Sequence, residues 1–226
     1  VTSSLGFKPS RHEGKIVGLA SYGDPAILGD ILLSRIDETP GDFRIYEANN
    51  VYFSRYLASK FPKIDVAAAY QYVLEKVATN YIRYWVQKTG MDTIVLSGGV
   101  TANVKLNQRI FEIEVVNHIF VYPNMGDGGC GTGAALYHSW PGGVKPSISS
   151  AYMGPDYSEA EIEKALQTEG LRFQRPQNLA AEVAALIHSG EVVARFEGRR
   201  EYGPRDLGNR SIMYHARDRD VNPSRY

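Results

Sequence analysis

The sequence predicts an α/β fold, and three observations carry the prediction. Residues 66–140 alternate helix, strand, helix, strand and helix, the order of a sheet layered with helices. Both strands run straight into glycine-rich turns, Gly98-Gly99 and Gly126-Asp127-Gly128-Gly129. Ahead of them, Ala69, Tyr70, Val73, Leu74, Val77, Tyr81, Ile82, Trp85 and Val86 recur at the three-four spacing of an amphipathic helix, which Gly90 ends as a left-handed cap.

The remaining elements follow in order. The first 65 residues read as irregular, with turns at Gly23-Asp24-Pro25 and Thr39-Pro40-Gly41. Within them Lys15–Ala20 is open between strand and helix, Ile27–Ile36 reads as helix and Phe43–Val51 as extended. Strands are expected at Thr93–Ser97 and His118–Tyr122, and helices at Thr101–Ile113 and Gly131–Trp140. Residues 141–150 combine proline, glycine and serine as a linker does. Beyond it, Ser158 and Glu161 form a capping box for a helix to Thr168. Arg172–Arg175 reads as extended, Leu179–His188 as helix and Glu191–Glu197 as strand. The glycine- and arginine-rich stretch from Gly198 to Arg217 has no legible period.

Composition narrows the function classes. The 226 residues suffice for one large or two small domains, and 25 basic residues balance 25 acidic ones. The whole chain therefore has no bias toward nucleic acid or an anionic membrane surface. Charge is nevertheless uneven: eight arginines face five carboxylates between Arg195 and Arg225, which is where an anion site is expected. Cys130 is the single cysteine, so no intrachain disulfide forms and a reducing compartment, the cytoplasm, is the default. It is read as a small residue packed at a glycine-rich helix start, with a thiol nucleophile as the alternative. No apolar run reaches the ~20 residues of a membrane span. Val1–Gly6 lacks the pattern of a secretory signal, and the chain reads as an excerpt of something longer.

The glycine turns point to a nucleotide. Gly126-Asp127-Gly128-Gly129-Cys130-Gly131 matches a dinucleotide fingerprint, but the acidic strand that should follow ~20 residues on is replaced by the linker. No P-loop pattern occurs. The actin and sugar-kinase superfamily fits better. There a glycine pair after a strand meets the nucleotide, and a separate carboxylate positions the metal. Gly98 and Gly99 suit the first role because a side chain would block the ligand. Asn103 and Asn107, one turn apart, either hydrogen-bond ribose or phosphate or belong to the helix itself. Asp127 is either a metal ligand or an exposed turn residue.

Four stretches resemble the O-carbamoyltransferases of nodulation-factor and antibiotic biosynthesis. They are Leu5–Pro9 running into His12–Gly23, Leu96–Val100 with Asn103 and Asn107, Asp127–Gly129 with Gly131–Ala135, and Phe196–Arg199 with Glu201–Ile212. The resemblance implies part of an actin/sugar-kinase-like carbamoyl-transfer domain over residues 1–140, the linker 141–150, and the start of a YrdC-like α/β domain over 151–226. It implies an ATP-dependent enzyme that makes carbamoyl-adenylate from carbamoyl phosphate and passes the carbamoyl group to a hydroxyl of a small-molecule or sugar acceptor. On that mapping Gly98, Gly99, Asn103, Asn107, Gly128 and Gly129 hold nucleotide. Asp127 is a ligand of a divalent metal, Fe2+ or Mg2+.

Carbamoyl phosphate is a dianion suited to paired bonds from guanidinium forks. Arg199, Arg205 and Arg210 are separated by glycines that allow tight turns, so they are the candidate anion-binding catalytic group, with a solvated arginine face as the alternative. Lys15 either reaches a phosphate or pairs with Glu13. The family's HxxxH metal pair is missing, since no two of His12, His118, His138, His188 and His215 lie four apart. This chain alone is therefore expected to lack full activity. The rival readings are a sugar or acetate-type kinase, which leaves the arginine block without a role, and a non-catalytic nucleotide-binding module.

Overall fold

The computed structural model describes residues 1–46, 51–140 and 148–215. It is an α/β chain of two compact units, Val1–Asp127 and Gly128–Tyr226. Most of the expected linker, residues 141–147, lies outside the described residues, as do Arg217, Arg219 and Arg225 of the basic stretch. Among the described residues no helix is long and apolar enough to cross a membrane.

One helix organises the first unit. α4 (Lys63–Thr89) extends 27 residues, about 40 Å at 1.5 Å per residue. Its apolar stripe packs against two successive sets of partners, with Tyr81 and Trp85 left exposed. The N-terminal half, through Val66, Ala69, Val73 and Val77, packs with Leu5, Leu28, Leu32 and Leu57 and with Ile16 of α1 (Glu13–Ala20). The C-terminal half contributes Val86 to a second cluster. Its partners there are Leu106 and Ile110 of α5 (Val104–Phe111), with Ile113 and Val116 beyond it. Gly90 ends the helix at φ 69°, the expected left-handed cap. Gly23 presses so close to the start of α4 that a Cβ would lie 2.2 Å from the Ile64 carbonyl oxygen. Beside it the buried Asp65 carboxylate accepts the Asp24 N–H at 2.9 Å.

Residues 1–65 are more ordered than their sequence suggests. Glu13–Ala20 is helix, which resolves the ambiguity there. The expected helix Ile27–Ile36 is instead a 3-10 turn (Pro25–Ile27), the short α2 (Gly29–Leu33) and the first residue of β1 (Ile36–Thr39). β1 forms an antiparallel hairpin with β2 (Asp42–Ile45), in register Ile36↔Ile45. Val51 opens α3 (Val51–Lys60) rather than ending a strand. α3 escaped notice because its polar, tyrosine-rich sequence buries only Ser54 and Leu57.

β3 (Thr93–Leu96) and β4 (His118–Val121) pair in parallel, Thr93↔His118 through Leu96↔Val121, joined by α5 as crossover. Ile94, Leu96 and Ile119 pack on the second cluster. The helix expected over Thr101–Ile113 begins late: Gly99–Ala102 is 3-10, and Asn103 leaves the helical region to cap α5.

The second unit holds α6 (Cys130–Ser139), α7 (Glu159–Thr168) and α8 (Leu179–His188). It also holds the antiparallel pair β5 (Val193–Phe196) and β6 (Arg210–Met213). The Ser158–Glu161 capping box forms as expected. Arg172–Arg175 takes no regular structure, its Arg175 pairing instead with Glu159 and Glu163 of α7. In this unit β6 is an element that sequence reasoning missed: it pairs Phe196↔Arg210 across a long loop. Cys130 is exposed at the start of α6 rather than packed.

Candidate functional site

The parallel pair places both glycine turns of the first unit at the carboxyl ends of its strands, the edge where open α/β sheets bind ligands. β3 leads into Gly98 and β4 into Pro123–Gly126, and the Gly98 N–H donates to the Met125 carbonyl at 2.7 Å. Gly98 sits at φ 101°, ψ 155°, a conformation open essentially to glycine alone. Added Cβ atoms at Gly98 or Gly99 would meet nothing within 4 Å. The surface above the turn is thus clear for a ligand to approach the backbone. The buried Thr101 hydroxyl donates to the Gly98 carbonyl at 2.8 Å and closes the turn from below.

The two asparagines differ in what they offer. Asn103 Oδ1 accepts the Leu106 N–H at 3.0 Å as helix cap and a bond from Gln71 Nε2 at 3.2 Å. Asn103 Nδ2 donates back to Gln71 Oε1 at 2.8 Å. Gln71 projects from α4, so this reciprocal amide pair pins the turn to the central helix. Asn107 Nδ2 donates to the Thr101 carbonyl at 2.7 Å, and its Oδ1 is buried with no hydrogen-bond partner. The Thr101 carbonyl fixes which end of the amide points away, because a flip would set two oxygens together. Asn107 therefore presents an unused acceptor beside the glycine turn. Lys15 stands on α1, half-buried, on a different element from the glycine turns.

Asp127 is exposed in a 3-10 turn, Asp127–Gly129, that leads into α6. No cluster of three His, Cys, Asp or Glu side chains able to hold a metal occurs among the described residues. Asp127 is a single carboxylate and does not make a metal centre by itself.

In the second unit the arginine block forms the loop between β5 and β6. Glu201, 8% exposed, lies at its centre. One carboxylate oxygen accepts the backbone N–H groups of Leu207 (3.1 Å), Asn209 (2.6 Å) and Arg210 (3.0 Å). Burial by itself raises the Glu201 pKa. The backbone hydrogen bonds outweigh it and hold the carboxyl at about 2, well below its ordinary value. The three candidate arginines are not equivalent. Arg210 donates to the carbonyls of Glu197 (2.6 Å), Asn209 (3.0 Å) and Gly198 (2.9 Å), and its guanidinium lies 3.6 Å over the Phe196 ring. It is committed to the loop's own backbone. Arg199 is exposed, its carbonyl accepting from Asn209 Nδ2 at 2.8 Å, and Arg205 is half-buried within the arc that Glu201 closes. Tyr202, next to Glu201, shares a hydroxyl hydrogen bond with Thr132 of α6, so the loop is anchored near the Gly128–Gly129 turn.

Comparison with known proteins follows the same two blocks. Residues 1–136 match the family model for the carbamoyltransferase N-terminus, and residues 184–224 match that for the carbamoyltransferase C-terminus. The chain belongs to the carbamoyltransferase family. It is 33% identical over 218 residues to the nodulation protein NolNO of Sinorhizobium fredii, covering 89% of this chain and 32% of that protein. The nodulation protein NolO of Bradyrhizobium diazoefficiens is 32% identical over 216 residues, covering 89% and 39%. An uncharacterized protein of Methanocaldococcus jannaschii is 32% identical over 234 residues, covering 96% and 38%. The chain thus spans no more than about two fifths of these relatives' length.

Three residues of this carbamoyltransferase chain were not singled out from sequence. Gln71 was invisible, since a glutamine on a helix face carries no signal for a partner 32 positions away. Glu201 and Tyr202 stood in the quoted block, but Glu197 and Asp206 stand there too, so nothing in the sequence marked Glu201 out.

Proposed function

We propose that the protein carrying this chain is an ATP-dependent O-carbamoyltransferase that moves a carbamoyl group from carbamoyl phosphate, through carbamoyl-adenylate, to a hydroxyl of a small-molecule or sugar acceptor. The observation that carries this reading is the presence in one chain of both family matches, the first containing the Gly98-Gly99 turn and the second the arginine-rich β5–β6 loop.

Nucleotide binding is assigned to the first unit. Gly98 and Gly99 keep side chains out of the approach to the strand ends. Asn107 is the proposed ribose contact: its amide oxygen is unused but buried, so a ribose hydroxyl reaches it only if the turn opens. Asn103 acts indirectly, as the cap that holds α5 and the turn together. Gly128 and Gly129 open the second unit and are nucleotide-binding candidates on their own turn. Asp127 is the one carboxylate here open to a divalent cation, whose further ligands come from outside the described residues.

The anion is assigned to the β5–β6 loop. Arg205 and Arg199 are the guanidinium groups proposed for carbamoyl phosphate, and Arg210 shapes the loop beneath them. Their positive charge would offset the repulsion between two anionic substrates, which is catalysis by electrostatic positioning. Water cleaves carbamoyl phosphate to carbamate and inorganic phosphate; a carbamate oxygen then attacks the ATP α-phosphorus, forming carbamoyl-adenylate and releasing pyrophosphate. The acceptor hydroxyl then attacks the carbamoyl carbon and AMP departs.

The test is pyrophosphate release from ATP by the intact protein. It should depend on carbamoyl phosphate. ADP release with phosphorylation of an acceptor, in the absence of carbamoyl phosphate, would overturn the reading in favour of a kinase.

A further inference from the structure

We infer that Glu201 is the positioning residue of the anion site, an internal carboxylate that holds the Arg205 loop in its binding shape before substrate arrives. The inference rests on the proposed role of Arg205 in binding carbamoyl phosphate.

Three features support it. Glu201 is one of the few charged residues the chain buries, and burying a carboxylate is unfavourable unless it is well bonded. It is satisfied by a convergence of three backbone N–H groups from Leu207, Asn209 and Arg210, all on one oxygen. Such charge-assisted bonds are about twice as strong as neutral ones. The arc they close contains Arg205 and is bent by Gly203 (φ 119°) and Gly208 (φ 111°). Those glycines make the bend accessible, but they also leave the unclosed loop with a large set of other conformations. The acid thus performs a task that the local sequence cannot: it selects one conformation of a glycine-rich, cationic loop.

A loop that is competent only part of the time binds its ligand more weakly by the competent fraction. Glu201→Gln keeps the shape and removes the charge, which weakens all three bonds together. The expected result is a rise of about tenfold in KM for carbamoyl phosphate, corresponding to a competent fraction of about one tenth. KM for ATP and the melting temperature of the first unit should stay as in the parent. Arg205→Ala, assayed beside it, separates the two ideas. If Arg205→Ala leaves KM for carbamoyl phosphate unchanged, the anion-site reading itself fails. If Arg205→Ala raises that KM and Glu201→Gln does not, the inference about Glu201 fails alone.

A second measurement does not depend on the variant's folding. Amide hydrogen exchange of the unaltered protein should show Leu207, Asn209 and Arg210 protected without ligand, and no further protected by inorganic phosphate. Free exchange that slows only when phosphate is added would mean that substrate, not Glu201, organises the loop, and would overturn the inference.

Discussion

Substituting alanine at Gly98 and at Gly99 separates backbone conformation from ligand approach at the β3 turn. Neither site has a neighbour within 4 Å of an added Cβ, so packing plays no part in the difference. Gly98 sits at φ 101°, ψ 155°, where a non-glycine residue costs about 1–3 kcal/mol. At about 2–4 °C per kcal/mol for a chain of this size, Gly98→Ala should lower Tm by roughly 2–12 °C. Gly99 lies in a 3-10 turn with no positive φ, so alanine there should leave Tm unchanged or slightly raised. Both substitutions place a methyl group over the backbone that the nucleotide would touch. Loss of one hydrogen bond to a charged phosphate, about 1.5–3 kcal/mol, weakens binding about ten- to a hundredfold. The assay is calorimetric titration of the intact protein with a non-hydrolysable ATP analogue, alongside thermal denaturation. Gly99→Ala is the decisive variant because it leaves folding intact. If it binds the analogue as tightly as the parent, no nucleotide reaches this turn and the argument from the open glycine surface is wrong.

Three further outcomes follow from the same geometry. Asn103→Ala removes the cap on Leu106 and the pair with Gln71, and should destabilise the first unit by about 1–3 kcal/mol, read as a lower urea midpoint. Arg210→Ala removes three carbonyl partners and the contact with Phe196. It should destabilise the second unit by about 1–3 kcal/mol, visible as a lower melting transition whether or not substrate is present. The Glu201 carboxyl is depressed from 4.5 to about 2 in the fold, so its contribution is present above the unfolded value and disappears as pH falls through the folded one. Stability of the second unit should decline between those two values, and Glu201→Gln should flatten that decline in urea midpoints measured across the range.

What the sequence determined by itself was whatever neighbouring residues decide among themselves. The stripe of α4, its stop at Gly90 and the Ser158–Glu161 box each rest on spacings of three or four residues and formed as expected. The glycine turns were legible too, because their chemistry lies in the absence of a side chain. Where tertiary partners compete with local preference, the reading shifted. Asn103 interrupts the expected helix as a local cap, its Oδ1 accepting the Leu106 N–H, and only the fold adds the reciprocal pair with Gln71. α3 docks through the buried Leu57 with Phe53 and Ala58 packed half-buried against the same core, contacts that its tyrosine-rich sequence did not announce. β6 exists only because β5 supplies its hydrogen bonds from across the loop, and a four-residue strand has no period long enough to announce itself. The candidate site divides along the same line. Sequence placed arginines in one block, but only the fold showed Arg210 bonded to backbone carbonyls and lying over the Phe196 ring. It also turned Glu201 from one acid among several into the buried centre of the loop, because its three partners converge only once the chain bends back on itself.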